Sequence, residues 1–168
     1  MSIASCAWEN PLPPKPRQRE ATPRRDRLCP YRPKRRMSSF TWAAIITLLN
    51  IALLLWVGAM AGQARAKYHI QAPATTGHPM FERAFRIQMN TIENTVMFLP
   101  TVWLAALYGA ATMIGAAGAV WIAGRIIYAL RYRKDPAKRG LGYGISLLAF
   151  AVLLLDAIIG LVRALFVA

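Results

Sequence analysis

The chain has 168 residues, 56% of them hydrophobic, with a mean hydropathy of +0.33 and a formal net charge of +14. Such apolarity excludes an ordinary soluble domain and points to a membrane. Both cysteines, Cys6 and Cys29, precede residue 37, so the apolar part has no disulfide and no cysteine nucleophile, and any thiol must arrive with a substrate.

Residues 1–36 hold ten Lys/Arg, three acidic residues and seven of the eleven prolines, with hardly any aliphatic side chains to bury. They lack the apolar h-region of a signal peptide, and Glu9, Glu20 and Asp26 fit poorly with a transit peptide. We read them as a disordered basic extension upstream of Met37, where the native protein is expected to begin, a nucleic-acid or anionic-lipid arm being the alternative.

No charge interrupts the chain from Met37 to Ala64, and the apolar core from Trp42 to Ala61 matches the ~20 residues that a helix needs to cross a bilayer. This predicts the first span. The uncharged run from Asn94 to Gly124 is too long for one helix and short for two, so Tyr108 and Gly109 are expected to form a turn, with Glu93 and Arg125 drawn onto the two helices near the membrane boundary. Leu141 to Val167, interrupted by Asp156 and Arg163, predicts a fourth span. The expected architecture is therefore all-α, an integral-membrane four-helix bundle over residues 37–168. Its positive charge clusters in the first loop (Arg65, Lys67, Arg83, Arg86) and the third (Arg131, Arg133, Lys134, Lys138, Arg139), which places those loops in the cytoplasm and sets them at odds with the basic extension. Charge divided in this way argues against a nucleic-acid partner for the bundle.

Polar groups then concentrate where the second span begins. Arg86, Asn90, Glu93 and Met97 share one helical face, one turn after Glu82 and Arg83. A charge at mid-membrane costs roughly 2.5–3.5 kcal/mol, so this stripe should face the bundle interior or a wet cavity, as a register-fixing network or as a ligand site. On the third span Arg125, Tyr128 and Tyr132 form a second stripe, which Arg139 rejoins if the helix continues past Pro136. Ala111, Gly115, Ala119 and Ala123, at four-residue intervals, are expected to form the close-packing face that brings the stripes together. Asn50 and Asp156 read as structural contacts between helices, and Arg163 as a side chain reaching the far interface. His69 and His78 have no metal-ligand spacing, and no metal is expected.

The run "FERAFRIQMNTIEN", in the pattern E-R-x-x-R-x-x-x-N-x-x-E, resembles the signature of the MAPEG proteins, the membrane-associated proteins in eicosanoid and glutathione metabolism. "ATTGHPMFER" before it and "GRIIYALRYRKDPAKRG" after it extend the resemblance to about residues 40–167. It implies four membrane helices per subunit, a homotrimer, and glutathione as co-substrate bound between neighbours near the cytoplasmic face. At matching positions it implies that Arg65, Arg86, Gln88, Asn90, Glu93 and Tyr132 hold glutathione, that Arg139 activates its thiol and that Tyr128 assists. Asn94 after the motif glutamate, where the leukotriene-forming branch has tyrosine, points instead to the general microsomal glutathione transferases. The implied reaction joins glutathione thiolate to an apolar electrophile arriving from the bilayer, with peroxide reduction as a related activity. A non-catalytic lipid-binding or scaffold member of the family is the rival reading. A bacterial inner membrane is the expected location, with the endoplasmic reticulum as the alternative.

Overall fold

The computed structural model describes residues 38–167; the basic extension and both cysteines lie outside the described residues. Four helices follow one another: α1 (Ser39–Lys67), α2 (Pro79–Tyr108), α3 (Ala111–Lys134) and α4 (Gly140–Val167), with a short 3-10 turn, Pro136–Arg139, before α4. No strand occurs among the described residues.

Each start has a local cause. Ser38 caps α1, its Oγ accepting from Thr41 N at 3.2 Å. His78 caps α2 in the same way, its Nδ1 accepting from Met80 N, while Pro79 occupies the first turn, where a missing N–H costs nothing. The turn expected at Tyr108 and Gly109 is present: α2 ends at Tyr108 and only Gly109 and Ala110 separate it from α3. Asp156 of α4 supplies the cap that Ala110 lacks, accepting from Ala110 N at 3.0 Å. That contact explains Gly109, since a Cβ there would collide with the Asp156 carboxylate.

The bundle core is a seam. Buried positions on α1 recur as Ala43, Ile46, Asn50, Leu53 and Val57, the alternating three-and-four spacing of helices packed along their length. Phe98 of α2 stacks on Trp121 of α3, with centroids 3.8 Å apart and rings 1° from parallel. Buried Asn50 accepts from Thr95 Oγ1 at 3.4 Å, the contact between helices that its sequence position suggests. Outside the seam the helices expose Leu, Ile, Val, Phe and Trp side chains all round, as a lipid-facing surface does.

Three helical stretches are long and apolar enough to cross a membrane: α1, α3, and the run from the 3-10 turn through α4. The fourth helix, α2, has 30 residues, about 45 Å at 1.5 Å per residue, but its polar stripe keeps it below that standard of apolarity. Two further expectations are corrected. Helix α3 does not run on past Pro136: it stops at Lys134, because Pro136 disfavours helical geometry at Asp135, which is extended and accepts from Ala137 N to start the 3-10 turn. The small-residue face at four-residue intervals is also not the packing face. Ala119 and Ala123 are exposed, whereas Gly115 and Gly118 meet Trp42 and Ile46 of α1 and Gly124 meets the backbone of α4. Helix α3 packs on all three other helices, and its small residues divide between the faces turned to α1 and to α4.

Candidate functional site

At the end of the bundle where α2 begins and α3 finishes, a cleft of about 630 Å³ opens, within the usual size for a small-molecule site. Arg86 and Asn90 reach it from α2, Tyr128 and Tyr132 from α3, Arg139 from the 3-10 turn, and Gly140 and Tyr143 from α4. The two stripes seen in the sequence thus meet, and the broken helix still delivers Arg139, because the 3-10 turn folds it back beside Tyr132 with its guanidinium 5.9 Å from the ring centroid.

The floor beside this cleft is held by Arg125, which is 0% exposed. Its Nη2 donates to Asn90 Oδ1 at 3.0 Å and to Thr91 Oγ1 at 2.9 Å, and its guanidinium lies 4.6 Å from the Tyr128 ring centroid. A guanidinium only donates, so Arg125 fixes the orientation of the Asn90 amide: the oxygen points inward, and the NH2 group is left free to donate toward the cleft. Thr91 Oγ1 in turn donates to Ile87 O at 2.8 Å, which fills its own donor role. Arg125 Nε and Nη1 are buried without a hydrogen-bond partner among the described residues. A second hold comes from Arg83, whose Nη1 donates to the last carbonyls of α3, Arg133 O at 3.5 Å and Lys134 O at 3.3 Å, tying α2 to the segment that carries Tyr132.

The cleft lining contains two guanidiniums, an amide and three phenols and no carboxylate. Among the described residues the one ion pair is Lys138–Asp135, at 3.5 Å, so Arg86 and Arg139 have no acidic partner among them. A site of this kind is complementary to an anion, and planar guanidiniums match carboxylates in two-point contact.

A MAPEG family model matches residues 39–159. The chain belongs to the MAPEG family. It is 35% identical to microsomal glutathione S-transferase 2 of Homo sapiens over 118 residues, covering 70% of this chain and 80% of the relative. It is 34% identical to leukotriene C4 synthase of Cavia porcellus over 121 residues, 70% of this chain and 79% of that one. An uncharacterized protein of Synechocystis sp. is 42% identical over 120 residues, 71% of this chain and 88% of its own length.

Within this MAPEG chain the expected site residues divide into two groups. Arg86, Asn90, Tyr128, Tyr132 and Arg139 come together in the cleft. Arg65, Gln88 and Glu93 do not line it. Arg65 reaches Ile70 O at 3.4 Å and lies over the Phe81 ring, its guanidinium 4.7 Å from the centroid. Gln88 follows Arg86 by two residues, so it points to the opposite side of α2 and lies against α1 at Gly58. Glu93 shares the stripe's face but stands beyond the cleft, exposed on the outside of the chain. Sequence reasoning overlooked Tyr143 and Gly140 and left Arg125 without a role. The signal for Tyr143 was present, since it follows Arg139 by four residues at the start of an apolar helix.

Proposed function

We propose that the chain is a membrane-bound glutathione transferase, in which Arg86 and Asn90 hold the tripeptide's carboxylate and peptide groups and Arg139 stabilises its thiolate. The observation that carries this reading is the meeting, in one carboxylate-free cleft, of the oriented Asn90 amide with two guanidiniums that have no acidic partner among the described residues. Glutathione brings two carboxylates and the thiol that the bundle itself lacks. The similarity to a microsomal glutathione S-transferase supports glutathione as the co-substrate. Tyr128 and Tyr132 line the cleft beside Arg139, where a phenolic O–H can donate to sulfur. An apolar electrophile enters from the bilayer side, past Gly140 and Tyr143.

This reading includes a homotrimer and a fourth membrane span formed by α2. Glu93 is exposed at mid-helix among exposed Ile92, Val96 and Met97, a position that would cost roughly 2.5–3.5 kcal/mol against lipid. A neighbouring copy covers it and completes the cleft. Native mass spectrometry of the detergent complex should give the mass of a trimer, and a monomer at all concentrations would remove this part of the reading.

The direct test is ligand-dependent thermal stabilisation. Glutathione at a hundred times its Kd should raise stability by about 2.7 kcal/mol. In Arg86→Ala the glutathione concentration needed for that shift should rise about tenfold to a hundredfold, as expected when a charge-assisted contact worth roughly 1.5–3 kcal/mol is lost. No stabilisation of the wild-type protein at any concentration would leave the non-catalytic member of the family as the better reading.

A further inference from the structure

On a different side of the same end of the bundle lies a small niche of about 120 Å³ that plays no part in the cleft described above. Met60, Gln63 and Lys67 line it from the last two turns of α1, at spacings of three and four residues that put them on one helical face. Tyr68 follows at the end of that helix, Met80 comes from the first turn of α2, and Arg133 from the last turn of α3.

Two features give this niche a chemical character. Its polar groups are an ammonium, a guanidinium, an amide and a phenol, and none of its lining residues is acidic. Lys67 and Arg133 are both exposed, and neither is in an ion pair among the described residues, where Lys138–Asp135 is the one such pair. The Lys67 ammonium lies 5.6 Å from the Tyr68 ring centroid, so it is held at the rim and not paired away. The second feature is the apolar part of the wall, Met60 and Met80, whose unbranched thioether chains adapt to irregular apolar groups.

A phosphodiester is an acceptor-only anion, and donors from a lysine, an arginine, an amide and a phenol are complementary to it. We propose that this niche binds the headgroup phosphate of an anionic phospholipid. Free phosphate shares the chemistry, but two observations favour lipid. The methionine wall suits the glycerol and first acyl carbons, and α1, at 29 residues or about 43 Å, exceeds the ~30 Å hydrocarbon layer, so its last turn reaches headgroup depth. Selectivity follows from charge: a choline or ethanolamine ammonium would find two cations and no acid, whereas a glycerol headgroup leaves the phosphate's net charge uncompensated and can donate to Gln63. The inference does not depend on the glutathione reading, and its test uses no glutathione.

The experiment is native mass spectrometry of the full chain, released from detergent after incubation with equal amounts of dioleoyl phosphatidylglycerol and dioleoyl phosphatidylcholine. Phosphatidylglycerol should be retained about tenfold over phosphatidylcholine. Lys67→Gln combined with Arg133→Gln should lower that retention about tenfold or more, at about 1 kcal/mol for each cation lost near an anionic headgroup. Lys138→Gln, which removes an exposed cation outside the niche, should leave it unchanged. Each single variant should show a part of the loss, which keeps the test decisive if the double variant folds poorly. Equal retention of the two lipids, or wild-type retention by the variants, would overturn the proposal. So would displacement of the lipid by inorganic phosphate at equal concentration, which would make the niche a free-phosphate site.

Discussion

Replacing Arg139 by Ala is expected, on the glutathione-transferase reading, to lower the rate of conjugation at pH 7 by about 25-fold while leaving the far-UV spectrum and unfolding midpoint of the protein nearly unchanged. A free thiol has a pKa of about 8.5 and is only a few per cent ionised at pH 7. Lowering that value by ~2 units takes about 2.7 kcal/mol of preferential interaction with the thiolate, a magnitude that one arginine in a partly dry site supplies. Arg139 is exposed on a four-residue 3-10 turn and makes no hydrogen bond or ion pair among the described residues, so its loss removes charge from the cleft without opening the core. The pH profile separates this role from a structural one. On the proposed reading Arg139 depresses the pKa of bound thiol, so the variant's rate should follow a titration moved up toward about 8.5. The deficit is then largest below about pH 6.5, where it approaches about a hundredfold, and shrinks as the pH rises through about 8.5. An Arg139→Ala enzyme with wild-type kcat and an unshifted profile would remove Arg139 from the chemistry.

The second large effect belongs to the packing that supports the cleft. Gly142 of α4 is buried against α3, and a Cβ at this position would land on the backbone of Tyr128. Gly124 of α3 approaches α4 in the same region, where a Cβ would sit 2.7 Å from Ser146 N. Gly142→Val must therefore push two helix backbones apart, and backbone cannot yield as the end of a flexible side chain can. Overpacking costs about 1–3 kcal/mol and occasionally more; here the upper end is expected, lowering the unfolding midpoint by roughly ten degrees. Tyr128 moves with the backbone, so glutathione-dependent stabilisation should be lost together with thermal stability. Gly144→Ala is the matched control: a Cβ there meets nothing within 4 Å, and the variant should melt with the wild type. Equal melting of Gly142→Val and Gly144→Ala would show that the α3–α4 contact is looser than described.

The residues that were legible beforehand are those whose roles depend on local spacing. Hydrophobic runs, the glycine at the α2–α3 turn and Pro136 mark where helices begin and stop, because capping and backbone sterics act within a few residues. The α2 stripe was visible for the same reason: Arg86 and Asn90 lie one turn apart on any helix. Even the error at Pro136 was local, since the proline's effect on Asp135 was already written in the dipeptide.

What a stripe meets is a different question, and only the packed bundle answers it. Helix α2 presents Arg86, Asn90 and Glu93 on one face, yet the cleft ends at Asn90, because that is the level at which Arg125 and Tyr128 of α3 cross it. Arg125 read as one more polar residue near a helix end; its complete burial, its grip on the Asn90 amide and its stacking on Tyr128 exist only once α2 and α3 lie together. The division of Gly115, Gly118 and Gly124 between α1 and α4, and the arrival of Arg139 by a 3-10 turn, were decided at the same stage. The sequence by itself determined which residues are helical and which share a face, because those are short-range properties of the backbone. Tertiary structure alone decided which faces meet, because crossing angle and depth depend on how side chains from distant parts of the chain fill common space.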